Sequence, residues 1–264
     1  MSLTIDLTAR KALVSGVTSG IGAGIAHRLA QAGCDVAGCG RCEPSDPGAL
    51  SFLREVESAG RRAFYRRCDL AEPDAAARWV GAAAAELGGV DILVSNAGRN
   101  VFVGAIKCDD ATWQECMDLN RAAHWRLARA ARPHLEQGTL PVIVVITSNH
   151  ACQTLPGCFP YNVSKAGLLA VVQSLAIEWG PRIRAVGIAP GFIDTPGNDA
   201  WFGSFADPAA ERRRTAQAHP VGRIGTAAEV GSLCAFLASE HAGFISGTTL
   251  LVDGGIGARM QEGA

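Results

Sequence analysis

The stretch from Lys11 to Ala30 leaves this chain few folds to choose from. A short apolar run, Lys11 to Val14, meets Ser15-Gly16-Val17-Thr18-Ser19-Gly20-Ile21-Gly22, and the residues beyond, Ile25, Ala26, Leu29 and Ala30, return at helical spacing. A strand, a glycine-rich turn and a helix in that order make a site for the pyrophosphate of a dinucleotide. Glycines let backbone N–H groups approach the phosphates, and a helix N-terminus favours their negative charge. The glycine spacing is GxxxGxG and not GxGxxG. The competing possibility is a plain strand-to-helix turn.

The rest of the chain continues the alternation. Pro141 to Ser148 reads PVIVVITS, an apolar, β-branched run of the kind buried on both faces in a parallel sheet. Further strands are predicted over Cys34–Gly40, Arg61–Cys68, Val90–Ser95, Arg184–Ala189 and Thr249–Val252. Helices are predicted over Asp46–Ala59 with Gly60 as C-cap, Glu72–Leu87, Asp110–Gln137, Pro160–Trp179 and Thr226–Ala238. With 264 residues, 48% of them hydrophobic, the chain can bury one large α/β core, and no linker, repeat or second domain is visible. A formal charge of -1 argues against a nucleic-acid surface. No apolar run reaches the roughly 20 residues of a membrane helix, and the N-terminus lacks a signal peptide's core, so a cytoplasmic protein without membrane association is expected. The cysteine count, nine, is odd, and most of these residues flank apolar runs, which favours buried thiols over disulfides; the six histidines show no metal-binding spacing, so no metal is expected.

Chemistry concentrates at strand ends. Ligands of open α/β sheets sit outside the carboxyl ends of the strands, where Ser148 would face a substrate. Pro160 suits a helix entrance, and Tyr161 and Lys165 then share one helix face four residues apart. A free phenol has a pKa of roughly 10, so a tyrosine base working near pH 7 to 8 needs about 3 to 4 kcal/mol of help. An ammonium at about 4 Å supplies about 1 kcal/mol in water and about 4 in a protein cleft. The pair therefore makes sense only in a partly dry pocket. Gly40 and Arg41 end the second strand, where an acid would bind the ribose 2′-hydroxyl of NAD and an arginine suits the 2′-phosphate of NADP. NADP is favoured, with NAD as the alternative because Glu43 and Asp46 are close enough in sequence to weaken the arginine's field. Asp69 either contacts an adenine or caps the next helix. Asn96-Ala97-Gly98 is a small, polar turn suited to close passage of a ribose, and Asn120 is an unusual amide inside a helix.

Taken in order, SGVTSGIG, SNAG, Asn120, Ser148, YNVSK and PGFIDT resemble the TGxxxGIG, NNAG, catalytic Asn and Ser, YxxxK and PG-to-Thr motifs of the short-chain dehydrogenase/reductase family, over nearly the whole chain. Ser15 replaces a threonine, and Ser95 an asparagine that ties central strands together. The resemblance implies a single doubly wound Rossmann-type domain, residues 1–264, with a seven-stranded parallel sheet flanked by helices. It implies an oxidoreductase moving a hydride between a nicotinamide cofactor and a secondary alcohol or ketone. The implied catalytic residues are Asn120, Ser148, Tyr161 and Lys165, with Tyr161 exchanging the proton, Ser148 binding the substrate oxygen, Lys165 lowering the tyrosine pKa and Asn120 supporting a water relay. The implied cofactor contacts are Gly16, Ser19, Gly20, Ile21, Gly22, Arg41, Asp69, Leu70, Asn96, Ala97, Gly98, Tyr161, Lys165, Ile193 and Thr195. A homotetramer built through the two long helices and the last strand is also implied, and Trp125, Leu169, Val172 and Trp179 would suit its contacts, although a monomer could bury them in its own core.

The substrate is a small molecule. Residues 197–220, with Trp201, Phe202 and Phe205, suit a substrate lid or an oligomer contact. Ser148, His150, Tyr161 and Trp201 are the substrate candidates, beside Arg99, Asn149, Gln153, Pro156, Asn198 and Asp199. So many hydrogen-bonding groups favour a polar substrate such as a sugar or sugar acid. The alternatives are a reductase of apolar or cyclic ketones and, in another class, a non-catalytic nucleotide-binding sensor.

Overall fold

The structure, a computed structural model, describes residues 4–259. The chain begins with β1 (Lys11–Ser15), α1 (Gly20–Gln31), β2 (Asp35–Gly40), α2 (Pro47–Ser58) and β3 (Ala63–Arg67). It continues through α3 (Ala75–Leu87), β4 (Ile92–Ser95), α4 (Asp110–Met117), α5 (Ala123–Leu135), β5 (Val142–Ile146) and α6 (Tyr161–Trp179). It ends with β6 (Arg184–Pro190), β7 (Ile193–Asp194), α7 (Pro196–Phe202), α8 (Pro208–Ala218), β8 (Gly225–Thr226), α9 (Ala227–Ala238) and β9 (Thr249–Val252).

Seven strands form one parallel sheet in the order β3-β2-β1-β4-β5-β6-β9. All five residues of β5 are buried, as expected of a strand covered on both faces. One face packs Val14, Val36 and Val144 against α1, α2 and α9 through Ile25, Phe52 and Val230. The other packs Leu13, Ala37 and Ile143 against α3, α5 and α6 through Trp79, Leu127 and Leu168. Strand order reverses between β1 and β4, so a crevice opens at their carboxyl ends, where doubly wound sheets take ligands. The α1 and α9 helices touch almost backbone to backbone: a Cβ on Gly24 would lie 2.6 Å from the Ala227 Cβ, and one on Gly231 2.6 Å from the Gly24 carbonyl oxygen.

The structure corrects several expected boundaries. The helix expected from Glu72 begins at Ala75, because Pro73 disfavours helical backbone at the residue before it. Asp69 does not cap that helix; its carboxylate accepts from the Ala71 N–H within the preceding turn. The helix expected to be continuous from Asp110 to Gln137 is interrupted by a π-turn over Asp118–Ala122, with Asn120 inside it. Residues 197–220 hold most of two short helices, α7 and α8, and the two-residue strands β7 and β8 pair beside the main sheet. Val172 is fully buried in the chain's own core, so it cannot serve as an intersubunit contact, whereas Trp125 on α5 is 44% exposed.

Candidate active site

The β1–α1 turn is built to bring backbone close to an anion. Gly16 and Gly20 have φ of +76° and +60°, where side chains are strained, and a Cβ on Gly22 would lie 2.0 Å from the Gly16 carbonyl oxygen. Ser19 is the N-cap of α1, but its side chain makes no capping bond and the first turn carries no acid. The N–H groups of Gly20, Ile21 and Gly22 therefore have no intrahelical acceptor, which fits a pyrophosphate. The Ser15 hydroxyl accepts from the Asn96 and Ala97 N–H groups at 2.9 and 3.0 Å, and the Asn96 side chain donates to the Ser15 carbonyl at 2.8 Å. These bonds lash the Asn96–Gly98 segment to the turn. Thr195 approaches from the other side, its methyl 3.4 Å from a Cβ position on Gly20, and its hydroxyl caps α7 by accepting from the Asn198 N–H. Ile193 and Leu70 are buried.

At the adenosine end, Arg41 follows β2 directly and is exposed. Of the carboxylates expected to weaken its field, Glu43 pairs with Arg67, whereas Asp46 accepts from the Glu43 N–H at 2.8 Å and keeps its charge. Cys39 and Cys42 bracket Gly40-Arg41 with CxxC spacing, yet both are free thiols, Cys39 in the core and Cys42 against the Tyr65 hydroxyl.

The helix α6 starts at Tyr161 and buries Tyr161, Ser164, Lys165 and Leu168 along one face, as the spacing predicts. Gly98 is the meeting point of the candidate catalytic groups: a Cβ there would lie 2.9 Å from Asn120 Oδ1 and 3.5 Å from Lys165 Nζ. The π-turn aims Asn120 inward, where its amide accepts from the Arg99 N–H at 2.9 Å and donates to the Arg99 carbonyl at 2.9 Å. Lys165 donates to the Ile146 carbonyl at the end of β5, 3.0 Å away. Burial lowers its pKa to about 8.

Burial also pushes the Tyr161 phenol up to about 12, an effect that the neighbouring Ser148 side chain opposes. The expected acidification by Lys165 is not present among the protein groups alone. The ammonium sits 5.8 Å from the centre of the phenol ring, and desolvation is the largest influence on the phenol.

The surroundings of the phenol are aromatic. Phe102 meets Tyr161 edge to face at 5.2 Å and His150 at 5.9 Å, and His150 meets Tyr161 at 6.1 Å. An isolated β-bridge between Phe102 and Pro160 and two bonds from Val103 and Gly104 to the Phe159 carbonyl hold this segment in place. Phe102 carried no periodic or motif signal, since its partner is set by a bridge between segments almost 60 residues apart. Four of the other side chains considered for the substrate already have partners. Arg99 pairs with Glu115, Gln153 donates to the Gly257 carbonyl, Asn198 to the Ile193 carbonyl, and Asp199 pairs with Arg212. Trp201 belongs to a separate cluster with Phe192, Phe202 and Phe205.

The chain is similar to known proteins along nearly its whole length. A family model described as enoyl-(acyl carrier protein) reductase matches residues 16–257. The chain is 34% identical to 3beta-hydroxysteroid dehydrogenase 1 of Eggerthella lenta, over 95% of each protein. It is 32% identical to 2-dehydro-3-deoxy-D-gluconate 5-dehydrogenase of Escherichia coli, over 96% of this chain and 98% of that one. The crystal structure of carveol dehydrogenase from Mycobacterium avium in complex with NAD superposes with a TM-score of 0.88 at 25% identity, covering 96% of this chain and 99% of the other.

Proposed function

Because the chain belongs to the short-chain dehydrogenase/reductase family and is a nicotinamide-dependent oxidoreductase acting on CH–OH groups, we propose that Asn120, Ser148, Tyr161 and Lys165 carry its chemistry on a secondary alcohol or ketone set in a saturated ring with an apolar face. Its being an enzyme sets aside the nucleotide-binding sensor. The observation that carries the substrate class is Phe102, 46% exposed and held edge-on to the phenol. An apolar ring face would cover it, whereas a polyhydroxylated substrate would find several of the nearby polar groups already bonded.

A bound nicotinamide supplies or takes up the hydride. Tyr161, protonated at neutral pH, gives its proton to the carbonyl oxygen in the reductive direction, and Ser148 donates to the same oxygen. Lys165 presents positive charge beside Gly98, and Asn120 fixes the Arg99 backbone next to it. Gly16, Ser19, Gly20, Ile21 and Gly22 hold the pyrophosphate; Asp69, Leu70, Asn96, Ala97 and Gly98 bound the adenosine and ribose, with Ile193 and Thr195 closing the nicotinamide side. NADP is the preferred cofactor, a reading supported by Arg41. His150 lines the substrate site next to Phe102, and the 197–220 segment forms a lid that brings Trp201 toward it. The whole chain acts as one cytoplasmic catalytic domain in a homotetramer, supported by exposed Trp125 on α5, Ile177 on α6 and Leu251 on β9.

A sugar acid is the second reading, favoured by the resemblance to the deoxygluconate enzyme. A kinetic panel of cyclohexanols, hydroxysteroids, aldoses and sugar acids separates the two. The highest kcat/KM is expected among the cyclic, apolar alcohols, and activity confined to aldoses and sugar acids would overturn that expectation. Tyr161→Phe is expected to lower turnover by about 10²-fold or more while cofactor binding stays nearly unchanged. Undiminished turnover would remove Tyr161 from the mechanism.

A further inference from the structure

His124 lies in the first turn of α5, four residues beyond Asn120, with 1% of its surface exposed. Its Nδ1 and the Ser95 hydroxyl are 2.8 Å apart, and both groups are buried. Ser95 ends β4 and leads directly into Asn96-Ala97-Gly98. The bond therefore fastens α5 to the segment that Ser15 and Asn96 lash to the glycine turn. This is a different tie from the strand-to-strand one implied for an asparagine at this position. The ring also lies against the Ser95 and Ala97 backbone, and burial first, then the charge of Lys165, hold its pKa well below the ordinary histidine range. Its Nε2 is buried and has no hydrogen-bond partner among the described residues. An aliphatic side chain would remove the unpaired Nε2 but would also take away the Nδ1 partner of the buried Ser95 hydroxyl, so packing alone does not account for the imidazole.

We infer that His124 is a positioning residue, which clamps Ser95–Gly98 against Asn120 and Lys165. The inference rests on the assignment of Tyr161 and Lys165 as the reacting pair. The titratable groups facing that pair are Cys116 from α4, His124 from α5, and His150 and Cys158 from the segment ahead of α6. Only His124 joins this group to the end of β4.

The test compares His124→Leu, His124→Gln and Ser95→Ala in the full chain, with folding checked by circular dichroism. Cofactor affinity is read by fluorescence titration, and kcat and kcat/KM are followed across pH 6 to about 10, the range that spans the lowered Lys165 value. His124→Leu is expected to lower kcat about tenfold and to move the basic limb of the profile to lower pH, because the lysine's charge becomes harder to hold. His124→Gln can still reach Ser95 and is expected to recover most of both effects. Ser95→Ala should act in the same direction, and its effect should not add to that of His124→Leu in the double variant. An unmoved pH profile and kcat, with only a lower melting temperature, would overturn the inference, and so would a glutamine variant no better than leucine. If His124→Leu fails to fold, Ser95→Ala and His124→Gln carry the same comparison. Tyr161→Phe keeps the two levels apart: if it remains active, the reacting pair itself is wrong. If it is inactive while the His124 profile stays put, only the positioning role falls.

Discussion

Arg41 leaves the end of β2 with its guanidinium exposed, and the two acids nearest in sequence are bonded to other groups. Its field is available to a phosphate on the adenosine ribose. A hydrogen bond to a charged group contributes about 1.5–3 kcal/mol, so Arg41→Ala should weaken NADPH binding by about 10- to 100-fold. NADH binding should change about twofold or less, because it lacks the 2′-phosphate. Titrating both cofactors against both proteins by fluorescence checks this, and equal losses would remove the phosphate argument. Tyr161 and Lys165 were legible in the sequence because spacing on a helix determines which side chains share a face. The state of the phenol was not. Whether an ammonium or desolvation dominates depends on burial and on where the lysine spends its donors, and here one N–H goes to the Ile146 carbonyl.

Helices α1 and α9 approach closely because Gly24, Ala227 and Gly231 remove the side chains that would hold them apart. Valine at Gly231 would place its Cβ 2.6 Å from the Gly24 carbonyl and 2.8 Å from Arg28 Cγ, and neither position can be reached without moving α1. Gly231→Val is expected to destabilise the protein by about 1–3 kcal/mol, and valine offers little helix propensity to offset this. The melting temperature checks it; a variant that melts with the parent would show that the contact yields easily. Since α1 carries the glycine turn, cofactor affinity should fall as well. The sequence disclosed the central strands and long helices, because periodicity and glycine punctuation are local signals. It hid the aromatic cover over Tyr161, which a bridge between distant segments holds, and the paths of α7 and α8, where Trp201 and Phe202 pack on Phe192 and Arg212 outside their own helix.

Across the whole molecule, the buried cysteines predict how stability responds to alkali. Burial pushes the Cys34 thiol up to about 12 and raises Cys39 and Cys234 as well. A group whose pKa is raised on folding contributes stability that is present below its unfolded value, here 9.0, and is lost as pH rises toward the folded one. Lys165 opposes this, since its lowered value adds stability between about 8 and its ordinary 10.5. Below about pH 9 the amine responds before the raised thiols do, so urea midpoints should rise slightly from about pH 8 and fall beyond about pH 9, with Cys34→Ala flattening part of the decline. Midpoints that stay constant to pH 10.5, the lysine's ordinary value, would contradict this account of the interior. The π-turn at Asp118–Ala122 also has a consequence on this scale. It stores one surplus residue in a helix that crosses from the crevice to the far end of the sheet. A chain that kept this residue but wound at regular pitch would carry everything on one side about 100° around the axis relative to the other. Asn120 would then face away from Gly98, or Leu127 and Leu135 away from the sheet, so the count of residues between the active groups and the core is itself part of the catalytic design.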